Sequence, residues 1–134
     1  IGIRQVGNTN NGSVFVDGDL NGLQVNQIGN DNIANVSIVG DGNGWGLGFS
    51  GAAAGVAGLG RPSGLVAQLG NLNEVSLNIT GNLNAFTLEQ NGNSNEIDGT
   101  VLGNNNQVAV VQTGGNNYAF TQQTGANNNI GISQ

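Results

Sequence analysis

The chain has 134 residues, 25 of them glycine, a formal net charge of −6, and only two basic residues, Arg4 and Arg61. That balance excludes nucleic-acid binding by charge and a polybasic membrane ligand. Cys, His, Met and Lys are absent, which removes the side chains behind most zinc sites, thiol nucleophiles and imidazole bases, so no catalytic, cofactor-binding or metal-ligating residue is assigned.

The chain opens on Ile1–Gln5, which lacks the basic head and apolar stretch of a signal peptide, and no apolar run approaches the roughly 20 residues of a membrane span. Without cysteine there is no disulfide framework, a composition that suits a chain exported unfolded. A first block of glycines follows, Gly7, Gly18, Gly29 and Gly40, spaced 11 residues apart and each answered three residues later by Asn10, Asn21, Asn32 or Asn43. A fixed period means that one small unit is stacked. Eleven residues also fit about three α-helical turns, but each helical Gly costs about 1 kcal/mol relative to Ala, and this chain is too rich in Gly, Asn, Val and Ile to sustain such a helix. Counting from each glycine, the fifth, seventh and ninth residues are mostly apolar and those between them polar, as in Ala34, Val36 and Ile38 against Asn35 and Ser37. This is the period-2 alternation of a strand with one buried face. Each unit is therefore predicted to be a strand of about five residues closed by a G-x-x-N turn, with Gly supplying the positive φ.

The spacing fails once. Gly40 and Gly70 are 30 residues apart, and residues 44–64 hold the only Trp and the only Pro. Trp45, Leu47 and Phe49 start in register at the inward positions before the composition turns to Gly and Ala. The segment is read as one strand followed by a shortened or bulged half-coil, or else as a loop protruding from the stack. Functionally it reads as an insertion tolerated at a turn ahead of a contact surface between subunits.

The second block runs Gly70, Gly81, Gly92, Gly103, Gly114 and Gly125, with Asn73, Asn84, Asn95, Asn106, Asn117 and Asn128. Its strands repeat the alternation, as in Val75, Leu77, Ile79 and in Phe86, Leu88, Gln90. The ninth position holds Gln in alternate rows, at Gln5 and Gln27 and then at Gln68, Gln90, Gln112 and Gln134, in steps of 22 within each block. Two different half-turns thus make one coil. The predicted fold is all-β, a two-sided β-solenoid of about six coils with parallel, in-register, cross-β stacking, spanning residues 1–134 as a single domain. Gln123 breaks the alternation, in a row whose interior, Ala119 and Thr121, is the least apolar. Stacking like over like predicts amide ladders of the inward Gln and turn Asn side chains. The first row, Ile1, Ile3, Gln5, and the last, Ile130, Ile132, Gln134, both keep the repeat pattern and show no cap, so each is expected to template another copy. Lengthening the stack adds ladder bonds, and folding is therefore expected to be coupled to polymerisation.

Other readings fit the residues less well. A solvated low-complexity chain does not need strict spacing. An ice-binding solenoid needs a regular outward array of Thr, and the outward residues Ser13, Asn26, Ser37, Asn78, Glu89, Thr100, Val111 and Gln122 do not supply one. A calcium-bound repeat needs recurring aspartates at a nine-residue period, approached only by Asp17, Asp19, Asp31 and Asp41. A β-helical enzyme needs clustered carboxylates, whereas Asp17, Asp19, Glu96 and Asp98 read as solvated turn and exterior residues. The Asn-x-Ser/Thr triplets at Asn11, Asn35 and Asn78 are expected from composition alone.

The motif Q-x-G-x-x-N recurs as Gln5-Val-Gly7 with Asn10, Gln27-Ile-Gly29 with Asn32, Gln68-Leu-Gly70 with Asn73, Gln90-Asn-Gly92 with Asn95, Gln112-Thr-Gly114 with Asn117 and Gln123-Thr-Gly125 with Asn128. In these residues the chain resembles the curlin-repeat proteins of bacterial curli, over nearly its whole length apart from 44–64. The resemblance implies secretion as an unfolded chain through an outer-membrane pore, then nucleated assembly outside the cell into amyloid fibres for adhesion and biofilm cohesion. It implies a major, fibre-building subunit whose partners are further copies of itself, a nucleator subunit and the outer-membrane secretion machinery. A soluble β-solenoid with an ice-binding or adhesin-type surface is the alternative.

Overall fold

The computed structural model describes residues 1–44, 46–58 and 60–134. Eleven strands and one helix are found among them: β1 (Gly2–Val6), β2 (Asn11–Asp17), β3 (Gln24–Ile28), β4 (Ile33–Val39), α1 (Gly51–Ala57), β5 (Leu65–Leu69), β6 (Glu74–Thr80), β7 (Ala85–Asn93), β8 (Glu96–Leu102), β9 (Gln107–Gly115), β10 (Tyr118–Thr124) and β11 (Asn129–Ser133). Successive strands alternate between two sheets. One holds six strands in the order β1-β3-β5-β7-β9-β11, the other five in the order β2-β4-β6-β8-β10. All pairings are parallel and in register, with partners 22 residues apart, as in Gln5 with Gln27 and Ile97 with Ala119. The chain is thus a β-solenoid of about six turns.

The alternation of the sequence decides which side chains lie between the sheets. Val25, Val66, Phe86, Leu88, Val108 and Val110 from one sheet meet Ala34, Val36, Ile38, Val75, Leu77, Ile79, Ile97 and Val101 from the other in a single buried cluster. Both faces of the cluster come from strands only about five to seven residues long, so each coil contributes a thin apolar slice that is buried only because another coil lies above and below it.

At the corners, each repeat glycine has positive φ, from +104° at Gly114 to +137° at Gly92. The corner contains a second left-handed residue, two positions on, at Thr9, Leu20, Asp31, Leu72, Leu83, Ser94, Asn105, Asn116 and Asn127, all with φ between 55° and 61°. The glycine requirement is steric as well as conformational. A Cβ on Gly92 would sit 1.8 Å from the carbonyl oxygen of Gly114 in the next coil.

The segment 44–64 differs from the sequence expectation. Partner spacing across it rises from 22 to 41 in both sheets, as between Gln27 and Gln68 and between Ile38 and Ile79. Gly44 bridges Gly22, and Gly64 accepts from Gln24 N–H where a strand resumes. The coil is therefore complete, and 45–63 is an insertion within it, neither a strand nor a shortened half-coil. Trp45 lies outside the described residues. Leu47 and Phe49 are partly buried outside any strand. Positive φ at Gly46 and Gly51 turns the chain out of the extended path, and the Ala-rich run after Ser50 forms α1, as expected of the strongest helix former.

Helix α1 packs on the outer face of the six-stranded sheet, against β9 and β11. Ala53 and Ala57 bury against Ala109, with Phe49 and Val56 at the edge. Asn129 accepts from Ala53 N–H at 2.7 Å and donates to Ser50 O at 2.7 Å, and Gln107 Oε1 accepts from Ser50 N–H at 2.6 Å. Arg61 grips Glu89 with two hydrogen bonds of 2.7 and 3.0 Å, which raises the guanidinium pKa against the opposing effect of its burial. The approach is close enough that a Cβ on Gly131 would lie 2.2 Å from Ala52 O. Gly131→Ala is therefore expected to undock α1 while leaving the strands paired. Elastase should then cut within 51–57 at least about tenfold faster, with no change in β-sheet circular dichroism; unchanged cleavage would contradict this packing.

Candidate functional site

The residues that carry the repeat form continuous polar ladders along the stack. In the interior of the six-stranded sheet the amide Nε2 of each glutamine donates to Oε1 of the next: Gln5 to Gln27 at 2.7 Å, Gln27 to Gln68 at 2.9 Å, Gln68 to Gln90 at 3.0 Å, Gln90 to Gln112 at 3.1 Å and Gln112 to Gln134 at 3.0 Å. The four central glutamines are fully buried. Their amides also donate to backbone carbonyls of the opposite sheet or turn, as from Gln27 to Asn11 O and Asn32 O, both at 3.0 Å. Each such bond contributes about 0.5–1.5 kcal/mol net, and a buried amide left without them costs more.

The turn asparagines make two further ladders, one at each corner. At one, Asn32, Asn73, Asn95 and Asn117 donate Nδ2–H to Oδ1 of Asn10, Asn32, Asn73 and Asn95 at 3.0–3.1 Å. At the other, Asn43 donates to Asn21 and Asn84 to Asn43, both at 3.0 Å, Asn106 reaches Asn84 Oδ1 through its backbone N–H at 2.9 Å, and Asn128 donates to Asn106 at 3.0 Å. The second amide hydrogen reaches the repeat glycine of the following coil, as from Asn73 to Gly92 O at 2.8 Å and Asn84 to Gly103 O at 2.9 Å. The Gln ladder donates toward the C-terminal coils and the Asn ladder toward the N-terminal ones, so the stack is polar.

A third set of rungs escaped the sequence reading. The residue just after each repeat glycine accepts, through its side chain, the backbone N–H of the equivalent residue one coil earlier: Asn8 to Asn30, Asn30 to Asn71 and Asn71 to Asn93 at 2.9 Å, and Asp19 to Asp41, Asp41 to Asn82 and Asn82 to Asn104 at 2.7–2.8 Å. The signal was present, because eight of the ten repeat glycines are followed directly by Asn or Asp. Asp19, Asp31 and Asp41 belong to these turns, where Asp31 accepts from the Thr9 hydroxyl. Asx side chains in turns commonly cap backbone groups in this way.

At the two edges the ladders are left open. Ile1, Ile3 and Val6 on β1 are exposed, whereas Ile130 and Ile132 on β11 are partly buried and pack on the core. Gln134 donates only to Tyr118 O, at 3.2 Å. Asn117 and Asn128, with no coil beyond them, turn back to Thr113 O and Thr124 O of their own coil at 3.1 Å. Edge strands with unpaired backbone groups and open amide rungs are templates for another strand.

Residues 103–134, which contain β9, β10 and β11, match the family model described as the curlin associated repeat. No curated protein and no solved structure matches the chain. The unit matched there is the one that recurs from Gly7 onward with the same corners and the same ladders, and the chain belongs to the curlin-repeat family.

Proposed function

We propose that this chain is the fibre-building subunit of an extracellular, curli-like amyloid, adding end to end to form a cell-surface fibre that contributes to biofilm matrix and adhesion. The observation that carries the reading is the unbroken set of ladders: every coil presents to the next the same donors, acceptors and strand edges, so a second copy can continue what the first leaves open. Its partners are then further copies of itself, with a nucleating subunit and an outer-membrane secretion apparatus upstream of assembly. Residues 1–134 act as one domain in this reading, with 44–64 as its individual feature. An ice-binding surface gains no support from the outward row Phe15, Ser37, Asn78, Thr100, Gln122, which holds a single threonine.

Chain diluted from denaturant is expected to grow unbranched fibres after a concentration-dependent lag, and preformed fragments should abolish the lag. The same growth should proceed in excess chelator, since the aspartates serve as turn acceptors. A protein that stays folded and monomeric at millimolar concentration would contradict the proposal.

A further inference from the structure

We infer that successive copies of this chain are related by a half-turn about the fibre axis, so that β1 of the incoming copy adds to β10 in the five-stranded sheet and not to β11 in the six-stranded one. The inference rests on the end-to-end reading above and specifies its junction.

The first argument is topological. Over residues 1–134 the described strands divide six to five between the sheets. If a second copy is placed on the first by translation alone, its β1 pairs with β11, and its β2 then lies two strand spacings, roughly 9.6 Å, from β10. The slot between them leaves the backbone edges of both strands without partners, over an interior bounded by Ala119, Thr121 and Gln123. Unpaired backbone groups in such a slot are costly. A half-turn closes it, with β1 on β10 and β2 on β11. Residues 1–5 then fill the start of the next 11-residue unit, and only the turn between β11 and the incoming β1 is interrupted.

The second argument is Gln123. Its row in the five-stranded sheet runs Val16, Ile38, Ile79, Val101 and then Gln123. The side chain is buried, and its Oε1 has no hydrogen-bond partner, because Val101 stands where a donor amide would be. Its Nε2 already makes the rung to the opposite sheet, to Gln107 O at 2.9 Å, as Gln90 does to Glu74 O and Gln112 to Glu96 O. What Gln123 lacks is the rung forward. In the half-turn arrangement the next residue in its row is Gln5 of the incoming copy, whose Oε1 is the open acceptor at the start of the Gln ladder. A buried amide that is unfavourable within one subunit becomes the first rung of the next. Around it the corner also continues, since Gly125 meets Gly7 and Asn128 meets Asn10. The exposed Phe15 of the incoming copy comes to lie over Ser133, on the face that carries α1.

The absence of cysteine makes the junction directly readable. Outward residues facing each other on adjacent parallel strands fall within disulfide reach. In the half-turn, Arg4 of one copy lies beside Gln122 of the other; in pure translation it lies beside Ser133. Fibres grown from equal mixtures of Arg4→Cys with Gln122→Cys, and separately of Arg4→Cys with Ser133→Cys, are oxidised with diamide and analysed as covalent dimers. The half-turn predicts dimers from the first mixture only. Fibres that cross-link through Ser133→Cys, or through neither pair, overturn the half-turn and leave the fibre reading standing, whereas failure to form fibres overturns both. Gln123→Val separates the two geometries independently: it removes an unpaired buried oxygen from the subunit but slows seeded elongation about fivefold under the half-turn, and unchanged elongation would overturn the inference.

Discussion

Gly92→Ala is expected to abolish assembly of the wild-type stack, with the largest effect of any single methyl group in the chain. The new Cβ would lie 1.8 Å from Gly114 O and 2.7 Å from Gly114 C, at a residue whose φ is +137°. An L-residue is strained there by about 1–3 kcal/mol, and the clash is with backbone, so relief requires the two coils to move apart. That movement lengthens the inter-coil bonds at the same corner, Asn73 to Gly92 O and Asn95 to Gly114 O, now 2.8 and 2.9 Å. A total loss above about 4 kcal/mol places the substitution among the exceptional ones. Gly55→Ala is the matched control. Gly55 lies inside α1, with nothing within 4 Å of its would-be Cβ, so alanine should stabilise the helix by about 0.5–1 kcal/mol. Guanidinium midpoints of fibre dissolution and seeded growth rates read both variants, and equal effects at the two sites would contradict the corner geometry.

Gln68→Leu is the second large effect, and its size follows from which partners are left bare. Gln68 accepts from Gln27 at 2.9 Å and donates to Ile33 O at 2.8 Å, Asn73 O at 2.9 Å and Gln90 Oε1 at 3.0 Å. Asn73 O keeps the Ile33 N–H at 2.8 Å, and Gln27 keeps its two backbone acceptors. Gln90 Oε1 loses its donor in a fully buried position, and one Gln27 N–H loses its acceptor. At about 1–3 kcal/mol for a buried group left unsatisfied, the expected loss is about 2–4 kcal/mol. Gln122→Leu, exposed on the outer face, should stay within about 0.5 kcal/mol. If the two glutamines prove equivalent in dissolution midpoint, the inward ladder does not hold the stack.

The fold was legible because every level of the sequence repeats one instruction. The glycine period placed the corners, the apolar alternation chose the inward face, and the 22-residue recurrence of Gln distinguished the two sheets, so that Gln27, Gln68, Gln90 and Gln112 could be stacked before any coordinate was known. The insertion was not legible for the opposite reason. Trp45, Leu47 and Phe49 mimic the alternation of a strand, and only the glycines between them, free to take positive φ, divert the chain. The docking site of α1 depends on small residues far away, Ala109 and Gly131, which a period-based reading assigns merely to two more strands. The rungs at Asn30, Asn71 and Asn93 were hidden in plain composition, because Asn is common throughout the chain and its place after Gly carries meaning only once coils are stacked. Gln123 was visible as an exception, and its consequence required knowing that Val101 lies beneath it.

The central claim is that these coils stack into a continuous cross-β ladder shared between molecules. Diffraction from aligned fibres of the 134-residue chain tests it most directly. The account predicts a sharp reflection along the fibre axis at about 4.7–4.8 Å, with a broader one near 10 Å across it from the facing sheets. Soluble globular particles that give no axial reflection, or fibres whose strand repeat lies across the axis, would contradict it.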